Sequence, residues 1–399
     1  MPGGAVRGSA TCALTRRAGA DGRTGGDRHD AGMEIESLAA LDDRLADGAP
    51  LRGLRLQHLD LTGWGPRLVG RDLTGLVVLG GTVPTDVTEV LLAGGAIVFP
   101  GLADAPVDPW RGLYAPEDLY AGVEQGYAGT PDARAYRWFV DAAMRTDAYA
   151  TLVRAIHDDS VTDALDEFVD ARSVVGVMGG HALHRGSADY RAAALLGHRL
   201  AEHGHLVATG GGPGAMEAAN LGALTDDADR LDAALDHLAD VPSFRPDVTP
   251  WARRALEVRL DVLGVPHRSV GTAMGSTARS LGIPTWFYGH EPPNVFCDAV
   301  AKYFSNAIRE DGLLARCTGG VVVLGGAAGT VQEIFQAVTP LYYATGEAPL
   351  PPLVLVGHEH WTDTVPVWPA LRALAAGRPM ADAVHLVDDV ADVPDLIRG

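Results

Sequence analysis

From Ser173 onward the chain alternates short apolar runs with amphipathic stretches. Val174–Met178 is a continuous apolar run, as a strand buried on both faces requires. A stripe of Tyr190, Ala193, Ala194, Gly197, Leu200 and Ala201 follows at helical spacing. His205–Thr209 predicts the next strand, ended by a Gly-rich turn and an Ala/Glu/Met-rich helix. Residues 226–280 are helical in composition and read as an insertion. Ile283–Tyr288 predicts a strand, followed by a helix from about Phe296. Val321–Leu324 predicts another strand. Its Gly-rich turn opens a helix with Ile334, Val338, Leu341 and Tyr342 on one face. Leu353–Val356 and Val384–Val387 would complete the sheet. Strands alternating with helices predict an α/β fold with a doubly wound, mostly parallel, Rossmann-like sheet over residues 173–399.

The preceding sequence is weaker in pattern. Leu54, Leu56, Leu59 and Leu61 alternate in part, and Leu73–Leu79 and Ala96–Phe99 resemble short strands between Gly and Pro. Residues 33–135 therefore read as a smaller N-terminal α/β module, irregular from Pro100 to Pro131. Residues 136–172 have few breakers and read as a helical connector. No internal repeat is apparent. Residues 1–32 hold eight Gly, five Arg and three Asp without apolar periodicity, and read as a disordered tail.

Charge narrows the function class. The 399 residues carry 51 acidic and 32 basic groups, a formal charge of −19. Such a chain repels nucleic acid and anionic membranes unless a local basic patch intervenes, and none is visible. Lys302 is the single lysine, so there is no G-K-[ST] phosphate loop and little scope for Schiff-base chemistry. The three cysteines form no C-x-x-C, which excludes a disulfide framework and fits a reducing cytoplasm. No apolar run approaches the roughly 18 residues of a membrane helix. No signal peptide is evident. A small-molecule enzyme or binding protein is the expectation.

Two turns carry the candidate chemistry. The first is Gly210-Gly211-Gly212-Pro213-Gly214, with Met216 just beyond. The second is Gly325-Gly326-Ala327-Ala328-Gly329-Thr330, with Glu333 beyond. Glycine lets backbone N–H groups approach a phosphate, and a helix N-terminus adds donors and a positive dipole end. Gly179 and Gly180, after the first strand, would form a third edge. Each turn also has a plainer reading. Thr330-x-x-Glu333 matches a capping box. Gly210, Gly212 and Ala215 fit G-x-G-x-x-A only loosely, without an acidic residue about 20 positions on.

Other candidates are less complete. His181, His184, His358, Glu359 and His360 are metal-ligand types in predicted loops without matching Cys or Asp. Ala278-Arg279-Ser280-Leu281-Gly282 lacks the first Gly of a hydrolase elbow. Trp286, Phe287 and Tyr288 would suit base stacking or a buried strand. Glu291 and Asn294 follow that run and would face a base if it bound there.

Taken together, the two turns and the intervening Arg309 resemble the Lonely Guy (LOG) family of Rossmann-like nucleoside 5′-monophosphate phosphoribohydrolases. That family carries G-G-G, a later helical Arg, then P-G-G-x-G-T-x-x-E. Here the matches are Gly210–Gly212, Met216, Arg309, Gly326, Gly329, Thr330 and Glu333. Gly325 replaces the family's Pro, and Ala327 its second Gly. Thr285–Asn294 and Arg309–Leu314 are similar to a longer actinobacterial branch. The resemblance spans about residues 173–357.

It implies hydrolysis of the N-glycosidic bond of a nucleoside 5′-monophosphate, giving free base and ribose 5-phosphate, without cofactor or metal. It implies Glu333 and Arg309 as catalytic residues. The phosphate and ribose would be held by Gly179, Gly180, Gly210, Gly211, Gly212, Gly214, Met216, Gly326, Gly329 and Thr330. It also implies a homodimer or higher homo-oligomer. The alternative is a non-catalytic nucleotide sensor, or a carrier of a phosphorylated cofactor such as molybdenum cofactor. The label lysine decarboxylase, sometimes attached to similar sequences, suits a chain with one lysine poorly.

Overall fold

The computed structural model describes residues 34–35, 37–99, 105–110, 112–266, 277–289, 291–345 and 348–397. The expected tail at 1–32 lies outside them. Two compact units divide between residues 101 and 102.

The smaller unit is a stack of βα turns. Strands β1 (Glu34–Ile35), β2 (Arg55–Gln57), β3 (Val77–Leu79) and β4 (Ile97–Phe99) pair in sequence order, all parallel. Helices α1 (Leu38–Ala46), α2 (Gly65–Leu68) and α3 (Thr85–Ala93) connect them. The register aligns Glu34, Arg55, Val77 and Ile97, a repeat of about 20 residues. The sequence reading found no repeat, yet Leu51-Arg-Gly-Leu54 recurs as Leu73-Thr-Gly-Leu76. Gly53, Gly75 and Gly95 each turn the chain into a strand with positive φ. Leu41, Leu56, Leu61, Leu68, Leu73, Leu76, Val87 and Leu91 stack into the core.

The larger unit begins earlier than the expected boundary near residue 135. Its helices α4 (Pro116–Tyr120), α5 (Pro131–Val140), α6 (Ala142–Thr146) and α7 (Ala148–Val169) precede its main sheet. Tyr114 exchanges both backbone hydrogen bonds with Val300, at 2.8 and 2.9 Å. Asp132 accepts from Lys302 Nζ at 2.6 Å, Trp286 Nε1 at 2.8 Å and Tyr127 Oη at 2.7 Å. The expected connector is thus part of this core: α7 contributes Val161, Leu165 and Phe168.

Next come β5 (Val174–Met178), α8 (Ala188–Glu202), β6 (Leu206–Thr209), α9 (Ala215–Leu224), α10 (Ala228–Ala239), α11 (Val248–Glu257) and β7 (Ser280–Gly282). They are followed by β8 (Ala299–Val300), α12 (Asn306–Arg316), β9 (Gly320–Val323), α13 (Ala328–Tyr343), β10 (Leu353–Val356), α14 (Trp368–Ala375), β11 (Val384–Val387) and α15 (Val393–Ile397). Among the described residues the sheet order is β11-β10-β9-β5-β6-β7-β8, parallel throughout. The chain winds outward from β5 to β8, then returns to β9 on its other side. The switch point lies between β5 and β9, where such sheets open a ligand crevice at the carboxyl ends of the strands. No helix among the described residues is long and apolar enough to cross a membrane.

Two expected elements differ. The strand placed at Ile283–Tyr288 is shorter and earlier, ending at Gly282 before Pro284. The helix expected from about Phe296 begins at Asn306, where the Ser305 side chain caps it. Helix is not formed around Phe296, where Pro292 and Pro293 remove backbone donors and Asn294 Oδ1 accepts from the Phe296 N–H. Lys302 therefore does not share a helix with Arg309. It is fully buried against Asp132 and the Trp286 ring.

Helices α8 and α9 cross without a side chain between them. A Cβ on Gly222 would overlap the Ala194 carbonyl, and one on Gly197 the Ala219 carbonyl. This contact sets how α9 is aimed at the crevice. Gly222→Ala is expected to lower the unfolding free energy by about 3 kcal/mol, the upper end for overpacking a core. Urea denaturation would measure it, and unchanged stability would contradict the packing described.

Candidate functional site

Three loops meet above the switch point. The loop after β5 supplies Gly179 and Gly180. Gly180 N–H donates to the Gly325 carbonyl at 3.0 Å, and Gly180 C=O accepts from Ala215 N–H at 3.1 Å. One residue thus joins both Gly-rich turns. A Cβ on Gly179 would stand 2.8 Å from that of Ala215, and one on Gly214 2.6 Å from the Gly180 carbonyl. Gly214 also has φ +73, a left-handed conformation that favours glycine.

The first turn is fixed from below. Thr209 Oγ1 accepts from Gly211 N–H at 2.9 Å, and its own hydroxyl donates to Asn220 Oδ1 at 2.6 Å. Asn294 donates its backbone N–H to the Gly211 carbonyl at 2.8 Å and its amide to Gly212 C=O at 3.1 Å. Asn220 in turn donates to Ser280 Oγ and the Leu281 carbonyl. Met216, almost buried, packs under Gly210 and Gly212, where either Cβ would meet its thioether.

The second turn opens α13. The residue before that helix is Ala327, so Thr330 is in its first turn and does not cap it; the capping box is not formed. Ala327 has φ −119, outside the left-handed region, so no positive φ calls for glycine there. Thr330 is buried against Gly326. Cβ atoms on Gly325 and Gly329 would meet no atom within 4 Å, so the space over them is open. His360 Nε2 lies 3.0 Å from the Gly326 carbonyl and 3.3 Å from its N–H.

Arg309 projects from α12 between the turns. Its Nε donates to the Ile283 carbonyl at 2.8 Å and its Nη2 to the Gly210 carbonyl at 3.4 Å. Its Nη1 stands 3.6 Å from Glu333 Oε1 and 3.8 Å from Glu310 Oε1. Glu310 is held by the side-chain amides of Asn306 and Gln332, both at 2.7 Å. Burial pushes the Glu333 carboxyl above its ordinary value. The Arg309 guanidinium opposes that rise, while Glu310 and Glu291 add to it. A half-buried carboxylate thus faces the crevice beside backbone donors and a helix N-terminus, an arrangement suited to binding an anion and polarising a group next to it.

The aromatic run divides. Trp286 is core, stacked on Phe304 at 4.5 Å. Phe287 and Tyr288 are exposed, and Tyr288 Oη accepts from Asn306 at 3.3 Å. Glu291 Oε1 lies 3.2 Å from His181 Nδ1. Among the described residues no group of three or more His, Cys, Asp or Glu is placed to hold a metal. Sequence reasoning weighed His360 only as a metal-ligand type and gave Asn220 and Glu310 no role in the site; their contacts are made across the fold and leave no local signal.

A family model, the SLOG cluster4 family of the LOG-like superfamily, matches residues 172–229. That stretch holds β5, Gly179, Gly180 and the whole first turn, in a Rossmann-like α/β fold. No curated protein sequence matches the chain. Among solved structures, a molybdenum cofactor binding protein from the phototrophic bacterium Rippkaea orientalis is similar at 15% identity and TM-score 0.33, covering 57% of this chain and 96% of that one. The molybdenum cofactor carrier protein from Chlamydomonas reinhardtii is similar at 19% identity and TM-score 0.32, covering 57% and 98%. Neither likeness bears on which residues hold a ligand.

Glu333 is expected to titrate above the ordinary glutamate value of about 4.3, and Arg309→Gln to move it higher. Carbon-13 NMR of glutamate-labelled protein would follow it, with Glu333→Gln assigning the signal. A wild-type midpoint at or below the ordinary value would contradict the burial described.

Proposed function

We propose that the chain hydrolyses the N-glycosidic bond of a nucleoside 5′-monophosphate. The observation that carries this reading is Glu333 held 3.6 Å from Arg309 at the crevice between two glycine turns. A phosphate would sit over the open backbone of Gly325–Gly329, at the N-terminus of α13, with the turn at Gly210–Gly214 closing the other side. That places the ribose toward Glu333. Breaking the glycosidic bond builds positive charge on the sugar, which a nearby carboxylate stabilises. The same carboxylate accepts a proton from the attacking water. Arg309 is already engaged with two carbonyls, so its part is to orient Glu333 and keep it ionised. Binding without turnover needs the turns but leaves a half-buried carboxylate without a task; that is why hydrolysis is preferred to a sensor or carrier.

Free base is expected from at least one of AMP, GMP, IMP, CMP and UMP, read by liquid chromatography, and not from the matching nucleosides. Glu333→Gln is expected to lower the rate at least about 100-fold. Because Glu333 must be ionised, activity falls as pH drops through its raised pKa, so the acid limb lies above the ordinary carboxylate range. Tight binding of monophosphates without base release would favour the carrier reading. Equal turnover of nucleosides would remove the phosphate from the mechanism.

A further inference from the structure

His360 touches the second glycine turn, and the proposed mechanism gives it no task. It follows β10, in the loop at the carboxyl end of that strand. Its backbone is fixed there: Trp361 N–H donates to the Gly357 carbonyl at 3.1 Å, and Val365 N–H to the His360 carbonyl at 2.7 Å. Trp361 is fully buried, with its indole N–H on the Val356 carbonyl at 3.0 Å. The partly buried imidazole stands nearly perpendicular to that indole, with centroids 4.5 Å apart. So held, Nε2 lies 3.0 Å from the Gly326 carbonyl oxygen and 3.3 Å from the Gly326 nitrogen. One ring nitrogen carries either a proton or a lone pair, so it serves only one of these groups at a time. With the proton on Nδ1, Nε2 accepts from the Gly326 N–H and takes a donor from the turn. With a proton on Nε2, it donates to the carbonyl and the N–H is released. The ionisable groups around the crevice are Arg309 and Glu310 on α12, Glu333 on α13, Glu291 after β7 and His181 after β5. Beside His360 on its own segment are His358 and Glu359, and Asp388 accepts from the His358 N–H at 2.8 Å.

We infer that His360 is a proton-coupled positioning residue for the phosphate. As a dianion settles on the second turn, the imidazole takes up a proton from solvent, donates to the Gly326 carbonyl and releases the Gly326 N–H to the ligand. The inference rests on the proposed function only for a phosphate at residues 325–329, and not for the hydrolysis. Charge favours it. Three carboxylates border the crevice, and Arg309 is committed to two carbonyls and Glu333. A dianion there gains from a cation that appears when it binds. Imidazole is the side chain whose ordinary charge change falls between pH 5 and 8. Because the bound anion pairs with the imidazolium, binding strengthens as pH falls through the histidine range and weakens as pH rises. A histidine that merely braced the turn would hold it equally in either charge state.

The experiment is calorimetric titration of the full chain with ribose 5-phosphate at about pH 7.5, where the phosphate is already mostly dianionic. Repeating it in buffers of different ionisation heat gives the protons taken up on binding. The wild type is expected to take up on the order of half a proton. His360→Gln keeps a donor for the Gly326 carbonyl but cannot be protonated. It is expected to bind about 10-fold more weakly and to lose most of the uptake. Glu333→Gln, whose own carboxyl could also take up a proton, is expected to keep most of it. Residual binding by His360→Gln, with an unchanged melting temperature, shows that the variant folds. Wild-type binding without proton uptake would overturn the inference, as would uptake that survives in His360→Gln or vanishes in Glu333→Gln. Uptake lost in His360→Gln alone, without base release from any monophosphate, would remove the hydrolysis and leave the role of His360 standing. No binding of ribose 5-phosphate by the wild type would overturn the phosphate site and this inference with it.

Discussion

The site depends on where one buried guanidinium finds its partners. An ionised side chain out of water is costly unless it is paired and its donors are occupied. Arg309 meets that condition with the Ile283 and Gly210 carbonyls and the Glu333 carboxylate. Those three belong to the end of β7, the end of β6 and the start of α13. The arginine therefore fixes the relative placement of three segments far apart in the chain. Glycine at 210 follows from this, since a Cβ there would overlap the guanidinium.

The support of Arg309 reaches well outside the crevice. Its helix is capped by Ser305, and the Phe304 and Ser305 N–H groups donate to Asp158 at 2.9 and 2.8 Å. Asp158 sits on α7 beside His157, whose Nε2 lies 2.6 Å from Tyr114 Oη. The residues ahead of the main sheet thus hold the helix that carries Arg309. They belong to the larger unit for a physical reason, since they satisfy its buried polar groups. Around Arg309 the charge is mostly negative, with Glu291, Glu310 and Glu333 nearby. An anionic ligand must then be held chiefly by backbone N–H groups, which is what open glycine turns at helix N-termini offer.

Much of this was legible from residue types at fixed spacing. The apolar runs at 174–178, 353–356 and 384–387 became strands as bounded. Arg309 and Glu333, linked beforehand only by the family resemblance, came together although 24 positions apart. What escaped was set by tertiary contact. A His at 360 reads from the sequence only as a metal-ligand type beside His358 and Glu359, until Gly326 lies against it. Asn220 and Asn294 have no shared local signal, yet they bond each other at 3.0 Å and fasten the first turn. The run Ile283–Tyr288 has strand composition, but regular pairing ends at Gly282, and beyond Pro284 only an isolated parallel bridge between Thr285 and Tyr303 continues it. The repeat in the smaller unit was hidden because its strands are only two or three residues long, too short for an alternation to register.

The central claim is that Arg309 assembles a phosphosugar site with Glu333 at its sugar end. A crystal structure with ribose 5-phosphate bound tests it most directly. The account predicts the phosphate against the backbone of residues 325–329, with C1 of the sugar turned toward the Glu333 carboxylate. A phosphate held elsewhere, or a sugar whose C1 points away from Glu333, would contradict it.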